Sequence, residues 1–232
     1  MKIDIERPQD GARQARVQTI SHVNLHYRHA EDGPIAARLL EILGLQRTQE
    51  IPLPGGDFYR FTVNRRDTNR GDGIVYLSRL PAPVAMLADL VRETFSAGEP
   101  GEHPAVTAVR AAQASDPELN FHVGFLFSSL EEIEERITEL QRLAMTDPQM
   151  KGRLQLVFNR AASGVKEVDA RLDASPIYRD VTRRTFGYNG VQAFVQTDLV
   201  VAGPLADGIS FELDYVFPGY ERHILSVVEM TR

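Results

Sequence analysis

The first regular pattern in the sequence is an alternation of apolar and polar residues around position 25. Val23, Leu25 and Tyr27 are apolar, and polar residues lie between them. Because side chains on a strand repeat every two residues, these polar residues share the face opposite the apolar ones. The pattern predicts a strand with one apolar face, and its polar face carries His22, Asn24 and His26.

A helix and three short strands are predicted next. Apolar residues recur at helical spacing from Ile35 to Leu43, and Gly44 follows as a C-cap. Strands are then predicted at 48–53, 57–63 and 73–79. The first two are separated by the sequence Pro-Gly-Gly, which is a strong turn signal. The whole segment therefore predicts a β-α-β-β-β unit.

The same order of elements begins again near residue 119. Apolar residues alternate from Phe121 to Phe127, and a helical stripe runs from Leu130 to Ala144. Ser129 and the glutamate three residues later have the form of a capping box at the start of that helix. Two short helices are predicted between the copies. Later strands are predicted at 154–158, 166–172, 191–200, 209–217 and 224–230, with a short helix at 176–186.

Two sequence matches indicate that the unit is duplicated. Residues 21–27 align with 121–127 at an offset of 100, and residues 72–77 align with 207–212 at an offset of 135. We therefore predict an α+β fold in which two tandem β-α-β-β-β modules form curved mixed sheets around a central cavity, with the helices outside. The predicted boundaries are an N-terminal arm at 1–18, the first module at 19–80, a helical connector at 81–118, the second module at 119–217 with an insertion at about 146–185, and a C-terminal strand at 218–232.

The repeat places candidate metal ligands at equivalent positions. His22 and His122 occupy the same place on the first strand of each module, and Glu212 lies on the last strand of the second module. Two imidazoles and one carboxylate form a facial triad of ligands, which leaves coordination positions open for substrate, water or dioxygen. The alternative is that each is an ordinary strand residue. The equivalence of the two histidines favours the metal site.

Composition limits the chemistry further. The 232 residues include 26 Lys and Arg, 32 Asp and Glu, 6 His and no Cys, which gives a formal net charge of −6. This charge argues against a general nucleic-acid binder, and without Cys any metal must be held by His, Asp or Glu. No apolar run is long enough to span a bilayer, and the N-terminal residues are charged. We therefore expect a cytoplasmic protein with no membrane partner.

Several short motifs resemble those of one known superfamily. They lie at 20–23, 44–45, 58–61, 120–124 and above all 207–213, where Asp-Gly-x-x-apolar-Glu is found. These motifs are similar to those of the vicinal-oxygen-chelate superfamily, which includes glyoxalase I, bleomycin-resistance proteins and extradiol dioxygenases. The resemblance implies that His22, His122 and Glu212 hold the metal, as in the extradiol enzymes with Fe(II) or Mn(II). Glyoxalase-like members usually have a fourth ligand, which comes from the first module. In this sequence the residue that aligns with Glu212 in the first module is Leu77, which cannot bind a metal.

The resemblance sets the expected function. We expect a metal-dependent enzyme that acts on a small oxygen-bearing substrate, with a ring-cleaving extradiol dioxygenase as the favoured reaction. One divalent ion is expected, with Fe(II) favoured and Mn, Zn, Ni or Co as alternatives. A metal-dependent isomerase or lyase of the glyoxalase type, and a non-catalytic binding protein of the bleomycin-resistance type, are the alternative functions. The protein is expected to be a monomer or a homodimer.

Further residues are candidates for the pocket. His26 shares a strand face with His22, so it is the candidate general base, or a group that positions a ligand. The other histidines, His29, His103 and His223, are expected at the surface. Candidate pocket residues, for which ordinary sheet packing is the alternative, are Tyr59, Tyr76, Tyr188, Gln192, Phe194, Gln196 and Asp214.

Overall fold

A computed structural model describes residues 20–63, 73–181 and 189–219. The predicted strand at 224–230, the arm at 1–18 and two of the candidate residues, Tyr188 and His223, lie outside the described residues. The elements in chain order are β1 (His22–Tyr27), α1 (Asp32–Ile42), β2 (Gln46–Ile51), β3 (Phe58–Thr62), β4 (Ile74–Arg79), α2 (Ala82–Thr94), α3 (Pro104–Ser115), a 3₁₀ turn (Pro117–Leu119), β5 (His122–Leu126), α4 (Leu130–Thr146), β6 (Leu154–Arg160), α5 (Lys166–Asp173), β7 (Gly190–Ala202) and β8 (Asp207–Val216).

The two halves of the chain share one strand topology. In the first half, β1 pairs with β4 in parallel, and β4, β3 and β2 follow as antiparallel neighbours. In the second half, β5 pairs with β8 in parallel, and β8, β7 and β6 follow in the same way. The α+β class and the tandem β-α-β-β-β units are thus confirmed. Because β6 takes the place of β2, the extra chain of the second unit lies between β6 and β7, at 161–189.

One strand contact joins the halves into a single sheet. His26 of β1 pairs with Val201 of β7, so the described strands form an open, mixed, eight-stranded sheet. The apolar sides of α1 and α4 pack on one face of this sheet and share a continuous core with the buried side chains of the strands. Burial of this core is the main stabilising term of the fold.

The connector helices lie at the junction, on the other side of the sheet. Ala88 of α2 packs with Leu80, Val201 and Ala206 in a small separate cluster. Val201 pairs with Gly208, and paired residues of neighbouring strands point to the same face. Gly208 precedes Glu212 by four residues on β8, so α2 lies on the sheet face that carries Glu212.

The strand register corrects the predicted alignment of the repeat. His22 pairs with Ile74, whereas His122 pairs with Ser210. If the two histidines are equivalent, the counterpart of Glu212 is Tyr76 and not Leu77. Leu77 is fully buried in the core between the sheet and its helices. The error is one residue, and in a strand one residue moves every side chain to the opposite face.

The segment 166–172 is the element whose type was predicted wrongly. It forms the helix α5 (Lys166–Asp173) and not a strand. Val168 and Leu172 are buried and lie four residues apart, so they fit one helical face as well as they fit an alternation. Residues 176–181, predicted as the beginning of a helix, form turns, and the rest of that predicted helix, 182–186, lies outside the described residues. Among the described helices, none has the length and apolar character required to cross a membrane.

Candidate metal centre

Three side chains of the second half meet at one point. Glu118 comes from the 3₁₀ turn, His122 from β5 and Glu212 from β8, and their ligand atoms all lie within 4.8 Å of one another. The Nε2 atom of His122 is 3.5 Å from Oε2 of Glu212 and 3.8 Å from Oε2 of Glu118. The Glu212 side chain is 9% exposed and the His122 side chain 31%. The centre is therefore mostly shielded but open on one side.

Local structure explains why these groups converge. The parallel pairing of β5 with β8 sets Gly124 beside Glu212, and His122 lies two residues before Gly124, on the same face of the sheet. The carboxylate of Asp116 accepts a hydrogen bond from the backbone N–H of Glu118 at 3.2 Å, and Pro117 starts the turn with a fixed φ. This capped turn brings Glu118 over the beginning of β5.

A backbone carbonyl fixes the tautomer of His122. Its Nδ1 lies 2.9 Å from the carbonyl oxygen of Asn120. A carbonyl oxygen only accepts, so Nδ1 carries the proton, and the lone pair of the neutral ring is on Nε2. The side chain of Asn120 donates to Oγ of Ser210 at 3.2 Å and holds this loop against β8. Metal-binding histidines are commonly oriented by such a hydrogen bond.

Gln192 holds the two carboxylates. Its side-chain nitrogen donates to Oε1 of Glu118 at 2.9 Å and to Oε1 of Glu212. Its oxygen accepts from Nδ2 of Asn159 at 3.1 Å, which is consistent only with this orientation of the amide. Each carboxylate thus has one oxygen bound by Gln192 and its other oxygen directed at His122. Gln192 was a candidate pocket residue, and it touches both carboxylates.

A third carboxyl group lies beside these two. Burial, together with the nearby negative charges of Glu212 and Glu118, raises the pKa of Asp214 to about 9. Its Oδ1 has no hydrogen-bond partner among the described residues. Crowded, buried carboxylates are unfavourable without a cation. One imidazole nitrogen and two carboxylate oxygens therefore fit a divalent metal ion, and their chemistry suits Mn, Fe or Zn.

The structure does not bring His22 to this centre. In the described residues, the group of possible ligands contains His122 and Glu212 but not His22. The strand register explains this separation. His26 pairs with Val201, and Val201 pairs with Gly208, so His22 lies four residues before the level of Gly208. His122 pairs with Ser210 and therefore lies two residues beyond that level, which makes a separation of about six residues. At about 3.3 Å per residue, His22 is about 20 Å from His122 along the strand direction. His22 instead contacts the ring of Tyr76, with 5.2 Å between ring centroids.

The other candidates fall into two groups. His26 lies beside Oγ of Ser78 at 3.3 Å and Nδ2 of Asn24 at 3.4 Å, away from the cluster. Tyr59 is a core residue whose pKa is raised by burial and by Asp57. Four further candidates lie on β7 and β8, on the sheet face that carries Glu212: Gln192, Phe194, Gln196 and Asp214.

Sequence reasoning missed Glu118. The signal was available in part, because Glu118 precedes His122 by four residues and follows the turn-forming pair Asp-Pro. Outside a helix, however, a spacing of four residues does not bring two side chains together. The capped turn that does so is visible only in the structure.

Comparisons with known proteins give no close relative. No protein-family model matches the sequence, and no curated protein matches it significantly. Among solved structures, the chain is similar to a possible glyoxalase from Bacillus cereus (13% identity, covering 85% of this chain and 98% of that one, TM-score 0.34). It is also similar to a candidate glyoxalase superfamily protein from Ralstonia eutropha JMP134 (12% identity, 90% and 75%, TM-score 0.23). A candidate hydrolase from Shewanella frigidimarina NCIMB 400 is a third (11% identity, 87% and 81%, TM-score 0.20). TM-scores this low do not establish function.

Proposed function

We propose that this protein is a metal-dependent enzyme of the vicinal-oxygen-chelate superfamily, in which Glu118, His122 and Glu212 hold one divalent cation. One observation carries the proposal. Nε2 of His122 and the Oε2 atoms of Glu118 and Glu212 face one another. The remaining polar atoms, Nδ1 of His122 and Oε1 of each carboxylate, are already hydrogen bonded. This orientation brings together the atoms that a cation needs.

The protein groups have distinct tasks in such a site. A bound divalent ion acts as a Lewis acid that polarises an oxygen of the substrate. Three protein ligands leave positions at which a small substrate binds through two adjacent oxygens. Gln192 keeps the two carboxylates in place, and the carbonyl of Asn120 keeps the proton on the far nitrogen of His122. The ring of Phe194 is fully buried and stands edge-on to His122, with 6.3 Å between the ring centroids.

The donor set favours an isomerase or lyase over a ring-cleaving dioxygenase. Two histidines and one carboxylate are typical of non-haem Fe(II) oxygenases. The described cluster has one histidine and two carboxylates, so the argument that favoured dioxygenase chemistry is weaker. A more oxygen-rich set suits Mn(II) or Zn(II) in Lewis-acid catalysis on a small substrate with adjacent oxygens.

Metal content tests the proposal. After purification without chelators, elemental analysis should find about one equivalent of a divalent metal in the wild type, since the ligand set is complete. The variants His122→Ala and Glu212→Gln should lose it. His22→Ala is the matched control and should retain it, because His22 lies outside the cluster.

The outcomes separate the candidate functions. If the wild type binds no metal, the proposal of an enzyme is replaced by that of a ligand-binding protein of the bleomycin-resistance type. If His22→Ala loses the metal, the ligand set is instead the one predicted from the sequence, namely His22, His122 and Glu212. Consumption of dioxygen with catechols would favour ring cleavage, because an isomerase or lyase consumes none.

A further inference from the structure

An apolar cavity lies between the connector helices and the turn that joins β7 to β8. Its volume is about 350 Å³. Most of its walls are apolar side chains from α2 and its C-terminal end, from α3, from the start of β5 and from the turn: Val91, Phe95, Val106, Val109, Phe121 and Leu205. Glu118, His122 and Glu212 are not part of its lining, so the cavity is separate from the proposed metal centre.

The walls of this cavity leave large apolar side chains open to solvent. Val109 is 54% exposed, Phe121 53% and Phe95 37%. Single apolar residues on a protein surface are common, but these three converge on one concave place. Exposed apolar surface with polar groups at its rim is typical of a binding site. Sites for small molecules usually have volumes of about 300–1,000 Å³, and the cavity is within this range.

The charged groups at the cavity are already paired. Arg110 lines it, and its guanidinium lies 2.5 Å from a carboxylate oxygen of Glu102 and 3.5 Å from one of Asp207. Asp207 also lines it and is paired with Arg92 at 2.7 Å. An ion in the cavity would lose its hydration without gaining a free counter-charge. The ligand that fits is therefore uncharged.

Gln113 of α3 provides a polar contact in this lining. Its side-chain nitrogen donates to Oδ1 of Asn120 at 3.5 Å. Within the described part of the chain its Oε1 accepts no hydrogen bond. An acceptor of this kind in a mainly apolar site favours a ligand that carries a hydrogen-bond donor.

We propose that this cavity binds an uncharged aromatic compound of two fused rings with one hydrogen-bond donor, which Oε1 of Gln113 accepts. An apolar cavity of about 150 Å³ holds benzene, so a cavity roughly twice as large holds two rings. The rings of Phe95 and Phe121 in the walls favour contact with a flat aromatic ligand. The site goes beyond the proposed function, since it requires no metal ion.

The probe is 2-naphthol, which has two fused rings and one hydroxyl group. The chain contains no Trp, so the fluorescence of the probe can be followed during a titration of the protein. Val109→Glu should bind 2-naphthol at least about tenfold more weakly than the wild type, because a charge in the wall opposes an apolar ligand. Val106→Phe should also weaken binding, because it enlarges a buried side chain of the wall. Met86→Glu is the matched control. Met86 is 72% exposed on α2 and does not line the cavity, so this variant should bind normally.

A second probe tests the contact with Gln113. 2-Methoxynaphthalene has the same rings but no donor, so the wild type should bind it about three- to tenfold more weakly than 2-naphthol. Gln113→Leu should bind the two probes with similar affinity. Equal affinities in the wild type would contradict the assigned hydrogen bond.

Three results overturn the site as a whole. The first is a wild type that does not bind 2-naphthol. The second is binding at wild-type affinity in both Val109→Glu and Val106→Phe, since the probe then lies elsewhere. The third is a wild type that sediments as a dimer and becomes a monomer in Val109→Glu but not in Met86→Glu, because a second copy of the chain then covers the cavity. Metal content is unaffected by these outcomes, so the failure of this site and that of the proposed metal centre are distinguishable.

Discussion

Gln192 is the residue through which the two carboxylates of the centre are held together. It lies 3% exposed on β7, and both hydrogens of its amide are used by Glu118 and Glu212. Asn159 fixes the amide from the other side. Carboxylates with one oxygen bound in this way offer the other to a metal in a set direction, and groups that orient ligands in this manner contribute to metal affinity.

Replacing Gln192 tests this role. In Gln192→Leu both carboxylates lose their donor, so we expect the affinity for Mn(II) to fall by about 10- to 100-fold, as measured by calorimetric titration. Gln196→Leu is the control. Gln196 lies on the same face of the same strand but does not contact the cluster, so this variant should bind Mn(II) normally. Equal affinity in Gln192→Leu and wild type would show that the carboxylates need no orientation by this amide.

At the scale of single residues, the sequence predicted some members of the proposed centre and missed others. His122 and Glu212 followed from the repeat and from alternation, because a strand sends every second residue to one face. Glu118 did not follow, since its position depends on a single capped turn. The role of Gln192 depends on two hydrogen bonds between strands, and no local pattern encodes such contacts.

The elements were predicted better than their register. Apolar periodicity located the described strands and the helices α1 to α4, but the repeated Asp-Gly start of the last strands led to an alignment one residue out. The side chains show the correct frame: Val75 and Leu77 face the core, as do Phe211 and Leu213. The register of a strand depends on how it pairs with its neighbours, and the sequence of one strand alone does not determine that pairing.

At Gly208 the backbone of β7 lies too close to β8 to leave room for a side chain. A Cβ atom there would lie 2.2 Å from the carbonyl oxygen of Thr197 and 2.9 Å from its carbonyl carbon, where the ladder is irregular between Thr197 and Val201. Backbone cannot yield as a flexible side chain can. Gly208→Ala should therefore lower the free energy of unfolding by about 1–3 kcal/mol, measured by urea denaturation.

A second glycine on the adjacent strand provides the comparison. Gly124→Ala adds the same methyl group at ordinary contact distances, so its free energy of unfolding should stay close to that of the wild type. If both variants unfold at the same urea concentration, the close approach at Gly208 is relieved by a shift of the β7–β8 turn. The difference between the variants, more than either value alone, measures the contact.

The arrangement of the two halves is a property of the whole molecule. The apolar periodicity of the sequence does not predict it. The sequence predicted two modules side by side around a central cavity, with His22 and His122 holding one ion. The halves are joined edge to edge through His26 and Val201, in a register that sets those histidines far apart along the strands. Contacts between modules are long-range, and nothing in the repeat itself fixes where the copies join.

Two ion pairs connect the halves on the helical side of the sheet. Arg153, just before β6, donates to Oδ1 of Asp32 at 2.6 Å and to Oδ1 of Asp198 at 2.8 Å. Asp32 begins α1 of the first half, and its side chain is 5% exposed. Arg38 of α1 pairs with Asp147 after α4 at 2.7 Å. The buried carboxylate of Asp32 makes the first pair the more important one, because a buried charge without a partner is costly.

Arg153→Ala should therefore destabilise the molecule as a whole. The guanidinium is 26% exposed, so solvent screens part of the effect, and we expect a loss of about 1–3 kcal/mol in the free energy of unfolding. Arg142→Ala breaks an exposed pair with Glu139 and should cause no measurable change. The double variant Arg153→Ala with Asp32→Asn should recover part of the loss, since it removes the charge left without a partner. If that recovery is absent while Arg153→Ala is destabilised, the arginine acts through its packing, and the ion pair does not hold the two halves together.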